Sequence, residues 1–226
     1  MYGMQENTAP IPLKFIMKVS EDPLLRESSA GRNENPSIRQ QWVIASFVVD
    51  KSYPLQFLLP QIQWLGMLDE NIRQWETRNL EDPSAPNRSS ETAIMELSYW
   101  YFLSYLWVLG AYEVIRTLSQ KVKDIQRVKK TRIFSKEIVR KLAETRDFFA
   151  EARVPLAKLE PRKLKDHTTA IAFPMIFAQK GFGWRISSNI SQPGRDISRR
   201  ELANAFLDLI RYMDENKAAQ EMVKTD

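Results

Sequence analysis

Residues 91–129, ETAIMELSYWYFLSYLWVLGAYEVIRTLSQKVKDIQRVK, predict one long α-helix. Its apolar first half is predicted to be core, and its charged second half is predicted to project beyond the core. Residues 93–112 carry a single charge, Glu96, and match the ~20 residues that a membrane-spanning helix needs. The tyrosines and serines in this segment are costly in lipid, and the chain has no second such segment. We therefore interpret it as a buried central helix and expect no membrane contact.

Helical patterns flank this segment on both sides. Apolar residues at a spacing of three to four predict a helix over 54–78. Ser135 has the character of an N-cap and predicts a helix that runs to about Ala152, with an extended, proline-bracketed segment over 154–161 after it. A final helix is predicted after Ser198, which forms a capping-box pattern with the glutamate three residues later.

Shorter apolar runs predict β-structure. Residues 170–177 and 182–187 flank a glycine-containing turn and predict a hairpin, in which Pro174 favours an edge strand. Residues 42–49, WVIASFVV, fit either a buried strand or the start of a helix, and residues 13–19 have strand-like composition. The predicted fold class is mainly α: an antiparallel long-helix bundle with a small β-hairpin element, with N-terminal strands left as an open alternative.

The length of 226 residues is enough to bury one sizeable core. We predict an N-terminal tail with a strand and a loop over residues 1–36. A single helical domain is predicted over 37–216, with its hairpin at about 170–187. Residues 217–226 are predicted to form a flexible C-terminal tail.

Composition excludes several kinds of site. The chain has no cysteine, so disulfides, thiolate metal sites and cysteine catalysis are excluded. One histidine cannot build a histidine-rich metal site, and the seven glycines are too scattered for a phosphate-binding loop. We predict no metal and no cofactor. A cysteine-free chain without a signal-peptide pattern favours a cytoplasmic location.

Positive charge is concentrated in the middle of the chain. The net charge is +5 overall, but residues 116–165 contain 16 basic and 6 acidic residues, a balance of +10, against −5 for the remainder. A field of this size attracts polyanions, whereas a solvated helix face is the simpler interpretation. For binding to RNA or another polyanion, the candidate residues are Lys121, Lys123, Arg127, Lys129, Lys130, Arg132, Arg140 and Arg146.

The only histidine lies in an Arg-x4-His pattern formed by Arg162 and His167. Such a pair suits RNA cleavage, because His167 can act as general acid or base while Arg162 holds the phosphate. With its long helices and this motif, the sequence resembles the HEPN superfamily over roughly residues 54–167. The resemblance implies a metal-independent endoribonuclease with Arg162 and His167 as catalytic residues. One departure is Lys163, where the family usually has Asn, Asp or His.

A second segment competes for the same role. Arg146 and Asp147 begin a similar pattern on a predicted helix, but Glu151 stands where the family has histidine. If this segment is the true counterpart, the resemblance implies a non-catalytic, RNA-binding relative. A structural alternative is that Arg146 simply pairs with a neighbouring acid and His167 is an exposed loop residue. The sequence leaves these alternatives open.

Two further expectations concern binding without catalysis. Glu113 and Arg116 are three residues apart on one helix face, and with Tyr112 they either line a pocket or only stabilise their helix. The excess of aromatic residues and the exposed half of the long helix suit a protein interface. The competing functional class is therefore a non-catalytic interaction module or a homodimerising scaffold.

Overall fold

The computed structural model describes residues 36–52, 57–81, 91–129, 134–158, 162–163, 169–187 and 193–222. The chain divides after residue 36, and the unit that begins at Ser37 is the one described below. Its described part has five α-helices and four strands, which confirms the predicted mainly α class with a small β element. In chain order these are α1 (Ile38–Ser52), α2 (Leu58–Glu76), α3 (Glu91–Lys129), α4 (Lys136–Lys158), β1 (Arg162–Lys163), β2 (Thr169–Phe177), β3 (Gly181–Ser187), β4 (Arg195–Ser198) and α5 (Arg199–Met222).

Helix α1 shows that residues 42–49 are helical, so the strand alternative is wrong for this segment. Trp42, Ala45 and Val49 recur every three or four residues and are all buried. This spacing places the three side chains on one face of a helix, whereas a strand would alternate them between its two faces. At its start the backbone N–H of Gln40 donates to the Ser37 hydroxyl at 3.2 Å, an N-cap that the apolar pattern did not reveal. The predicted strand at 13–19 lies outside the described residues.

Helices α1 and α2 pack antiparallel, with Trp42 against Gly66. A Cβ atom on Gly66 would lie 2.3 Å from the Trp42 Cβ, so only glycine permits this approach. The Trp42 indole N–H donates to Asp69 at 2.8 Å. As predicted, α2 occupies most of 54–78, and it continues into a π-helical turn over Thr77–Glu81.

Helix α3 has the predicted bounds, but its burial differs from the prediction. The buried hydrophobic side chains of α3 lie between Trp107 and Val122, which is in the charged half. The Trp107 indole N–H donates to the Leu65 carbonyl at 2.9 Å. Large apolar residues nearer the start of α3, such as Met95 and Phe102, are exposed. Burial follows the contacts with α2 and α4, so the most apolar part of the helix is not the most buried part.

Helix α4 begins at the predicted place and ends later than predicted. The backbone N–H of Ile138 donates to the Ser135 hydroxyl at 3.2 Å, which confirms the N-cap. The helix passes through Pro155 to Lys158, so the predicted extended segment is wrong up to that residue. Proline inside a helix removes one backbone hydrogen bond. Burial of Pro155, together with the packing of Leu156 against the core, offsets that loss.

The four strands form an antiparallel sheet in the order β1-β2-β3-β4. The predicted hairpin is confirmed: residues 171–177 of β2 pair with the whole of β3, and the turn has Gln179 at φ 62° and Gly181 at φ 71°. The two-residue strand β1 pairs only with Thr169 and Ala170. Pro174 therefore has a paired strand on one side only within the described residues, as its missing N–H predicts.

Helix α5 follows β4 with no intervening residue. The capping box is confirmed, because the Ser198 N–H donates to the Glu201 carboxylate at 2.9 Å and the Glu201 N–H donates to the Ser198 hydroxyl at 3.1 Å. The helix continues to Met222, beyond residue 217 where the tail was predicted to begin. Its buried face includes Phe206, whose ring lies 5.0 Å from that of Trp42.

A fully buried group of charged side chains fastens α5 and the hairpin to α2. Asp69 and Glu76 lie two turns apart on α2, and both pair with Arg199 at the start of α5; all three side chains are completely buried. Burial by itself would raise the pKa of Asp69, but the neighbouring Arg199 and Arg73 guanidinium groups hold that pKa below its usual value. Asp69 is thus held in its ionised form, and both carboxylates are paired in the core.

Glu76 also fixes the position of the hairpin. Its carboxylate accepts a hydrogen bond from the Phe182 backbone N–H at 2.8 Å and a second from the Arg200 guanidinium at 2.7 Å. A Cβ atom on Gly181 would lie 2.2 Å from this carboxylate. The close approach of Glu76 to the β-turn therefore depends on glycine at position 181. This contact sets where β2 and β3 lie relative to the helices.

Candidate functional site

An apolar groove of about 710 Å³ lies between the first half of α3 and the hairpin. None of its lining residues carries a charge. Its α3 residues recur every three or four positions, so they share one face of the helix. They are Leu97, Ser98, Tyr101, Phe102 and Tyr105.

The other side of the groove is made by the sheet and by the last turn of α4. Ala172, Pro174 and Ile176 alternate along β2, so their side chains lie on the same face of that strand. Trp184 is opposite Pro174 in the register of β3 and lines the groove beside it. Leu156 is the contribution of α4. Pro155 therefore matters for the groove, because the helix must continue through it to bring Leu156 here.

Few polar atoms face this apolar space, and most are already bonded. The Tyr101 hydroxyl donates to the Gly183 carbonyl at 2.6 Å, and burial raises the pKa of Tyr101 above its usual value. The Ser98 hydroxyl donates to the Ile94 carbonyl at 2.8 Å. The indole N–H of Trp184 is buried and has no hydrogen-bond partner within the described residues. A buried donor without an acceptor is costly, but this nitrogen has less than 1 Å² of accessible surface, so it does not open into the groove.

An exposed apolar stripe borders the groove along α3. Met95, Tyr99, Phe102 and Leu106 follow one another at spacings of four, three and four residues, and each is at least 41% exposed. Isolated exposed apolar residues are ordinary, but a continuous row beside a groove marks a binding surface. Phe102 belongs to both the stripe and the groove.

The predicted pocket residues lie beyond the Tyr105 end of the groove and form an ion-pair cluster. Arg116 contacts Glu113 at 2.6 Å, and both side chains are about half exposed, at 43% and 45%. Arg153 of α4 joins them, 3.5 Å from Glu113 and with its guanidinium 5.0 Å from the centre of the Tyr112 ring. The helix-stabilising contact between Glu113 and Arg116 that the sequence predicts is present. Arg153 is a third member of the cluster, which the i,i+3 spacing could not reveal.

The predicted nucleic-acid-binding residues that the structure describes are exposed, except for Arg146 at 29%, and they do not form a single patch of free cations. Lys121 and Lys123 are exposed on α3. Arg127 is 83% exposed and lies 4.0 Å from Asp124. Arg140 pairs with Glu144 at 3.2 Å. The side chains of Lys129, Lys130 and Arg132 lie outside the described residues.

The two HEPN-like patterns differ in what the structure describes. Arg162 pairs through its backbone with Ala170, while its side chain and the whole of His167 lie outside the described residues. In the second pattern, Arg146 pairs with Asp147 at 2.8 Å, as the structural alternative expected. Glu151 pairs instead with Arg195 of β4. Arg146 and Glu151 therefore have separate partners.

Two kinds of site are absent from the described residues. No group of three or more acidic or histidine side chains is placed there to hold a metal ion. Among the helices that the structure describes, none is long and apolar enough to cross a membrane.

Comparison with known proteins yields no relative for this chain. No known protein family matches the sequence, no curated protein matches it, and no solved structure matches its fold.

Proposed function

We propose that this domain binds an elongated apolar small molecule in the groove between α3 and the hairpin. The observation that carries the proposal is the groove itself: its volume of about 710 Å³ lies within the size range of ligand pockets, and its lining residues are uncharged. Pockets of this composition typically combine an apolar body with a few polar groups that orient the ligand. Ser98 and Tyr101 are the lining residues whose hydroxyl groups suit that role.

A small molecule fits this surface better than an added β-strand. Peptides that extend a sheet need a continuous row of backbone donors and acceptors along an edge. Pro174 interrupts that row in the middle of β2, because proline has no N–H. The groove therefore offers side-chain surface rather than backbone hydrogen bonds.

The proposal is tested by filling the groove. Ser98 is exposed on α3 and lines the groove, so Ser98→Trp is expected to weaken binding of the neutral dye Nile red roughly tenfold or more while leaving the fold intact. Fluorescence titration measures the dissociation constant, and circular dichroism checks the fold. Thr92→Trp, another exposed position on α3 that does not line the groove, is the matched control and should bind as wild type.

Two results would contradict the proposal. One is the absence of saturable dye binding to the wild-type chain. The other is equal weakening by Ser98→Trp and Thr92→Trp. Light scattering on the same samples measures the molecular mass and so detects a homodimer. A homodimer formed through the exposed stripe would cover Phe102 and reduce access to the groove.

The second candidate is the HEPN-like function, binding of RNA or another polyanion. Lys121 and Lys123 favour it, because both are exposed and neither has an acidic partner within the described part of the chain. In its catalytic form, His167 would act as general acid or base and Arg162 would hold the phosphate. In its non-catalytic form, the basic residues alone would hold the backbone of the nucleic acid.

Salt-dependent RNA binding separates this candidate from the first. The logarithm of RNA affinity falls with the logarithm of salt concentration, and each lysine that contacts phosphate contributes about one unit to the steepness of that fall. Replacing both Lys121 and Lys123 with glutamine should therefore make the fall shallower by about 1–2. Lys180→Gln, at an exposed lysine paired with Glu201, serves as the control. No binding at low salt would remove the candidate. If RNA stays intact at every pH with the wild-type protein, as with His167→Ala, ribonuclease activity is excluded.

A further inference from the structure

We infer that the ligand of the groove is an ionised single-chain carboxylic acid, whose chain lies in the groove and whose head group pairs with Arg116 and Arg153. This inference rests on the proposed function. It adds the chemistry of the ligand's polar end, which the uncharged groove lining by itself does not specify.

Helix geometry places the two arginines in line with the groove. Tyr112 and Arg116 follow Tyr105 by 7 and 11 residues, which is about two and three turns, so all three lie on one face of α3. On α4, Arg153 is one turn before Leu156, the residue that lines the groove. Both helices that border the Tyr105 end of the groove therefore carry an arginine further along the same face.

The cluster already shows that it can accommodate a carboxylate. The guanidinium groups of Arg116 and Arg153 both approach the carboxylate of Glu113, at 2.6 Å and 3.5 Å. Two guanidinium groups against one carboxylate leave a net charge of +1. The side chains of Arg116 and Arg153 are 43% and 28% exposed, so a second carboxylate can approach them from solvent.

Charge balance favours a carboxylate over a phosphate. One carboxylate neutralises the net charge of the cluster. A phosphate monoester carries about −1.5 to −2 at neutral pH and would leave uncompensated negative charge beside Glu113. The head group must also lie at this end, because a charge within the uncharged groove would lose its hydration without gaining a partner.

Ligands that share one chain and differ only in the head group test the inference on the full chain. Decanoate is expected to bind about tenfold more tightly than 1-decanol, by isothermal titration calorimetry below the micellar range. Arg153→Gln should remove most of that advantage and leave 1-decanol binding unchanged. Arg140→Gln is the matched control, since Arg140 is an exposed α4 arginine paired with Glu144. Glu113→Gln removes the competing carboxylate and should tighten decanoate binding severalfold.

The outcomes separate the inference from the proposed function. If 1-decanol binds as tightly as decanoate, the carboxylate assignment is overturned while the groove function stands. If decyl phosphate binds more tightly than decanoate, the assignment is overturned in favour of phosphate. Weaker decanoate binding in Glu113→Gln would equally contradict it. If none of the three ligands binds, the proposed function fails as well.

Discussion

Replacing Glu76 with methionine is expected to lower the free energy of unfolding by about 3–5 kcal/mol, the loss typical of breaking a buried ion pair. The methionine fills much of the same space but accepts no hydrogen bond. Phe182 loses the acceptor of its buried N–H, and Arg199, which is completely buried, loses one of its two carboxylate partners. Asp69 still balances Arg199, but Arg200, whose side chain is 17% exposed, loses its ion pair with Glu76.

Urea denaturation followed by circular dichroism measures this loss. Glu76→Gln keeps the shape and one acceptor oxygen, so it should cost clearly less than Glu76→Met. Glu70→Met is the matched control on the same helix, because Glu70 has only a 3.4 Å contact with the half-exposed Arg39 and should change stability by roughly 0.5 kcal/mol or less. Equal losses for Glu76→Met and Glu70→Met would refute the assigned role of the buried carboxylate.

Replacing Gly181 with alanine is expected to destabilise the fold by about 2–5 kcal/mol, for two separable reasons. The left-handed backbone at φ 71° costs an L-residue roughly 1–2 kcal/mol. The new Cβ would also lie 2.2 Å from the Glu76 carboxylate, which must move and weaken its hydrogen bond to Phe182, a loss of about 1–3 kcal/mol.

A double-mutant cycle separates the two contributions. In a Glu76→Ala background the steric part disappears, so Gly181→Ala should then cost only the backbone part. Gln179→Gly is the control in the same turn: Gln179 has φ 62°, and glycine there should be neutral or stabilising by up to about 1 kcal/mol. Additive losses in the cycle would show that Glu76 and Gly181 do not interact.

The parts of the fold that depend on neighbouring residues were predictable from the sequence. The capping box at Ser198 and the N-cap at Ser135 form from residues three apart, and both are present. The hairpin follows from a glycine turn between two apolar runs. Local chemistry fixes where these elements begin and turn, whatever the rest of the chain does.

Features that depend on distant residues were left open or predicted wrongly. Residues 42–49 are too short for periodicity to separate strand from helix, and contact with Phe206 near the other end of the chain accompanies their helical packing. Pro155 stays helical because tertiary burial offsets its local penalty. Both cases show packing overriding a local preference.

The candidate site was predictable only in part. The i,i+3 spacing marked Glu113 and Arg116 as a pair, but nothing local indicated that Arg153 joins them. The groove brings together residues of α3, α4 and the hairpin, and nothing in their separate segments indicates that they meet. The sequence feature that marked the groove was the apolar start of α3, which was interpreted as core. A sequence does not show which part of an apolar helix is covered by a neighbouring element.

The pairing of Glu76 with Arg199 has a consequence for synthesis of the chain, because 123 residues separate these two partners. At 5–20 residues per second, a ribosome needs about 6–25 s to make the intervening segment. During that interval α1 and α2 have no α5 to pack against, and the apolar surface around Trp42 is open to chaperones or to other nascent chains. We therefore expect the last helix to govern both the time at which this protein can complete its fold and the yield of folded chains.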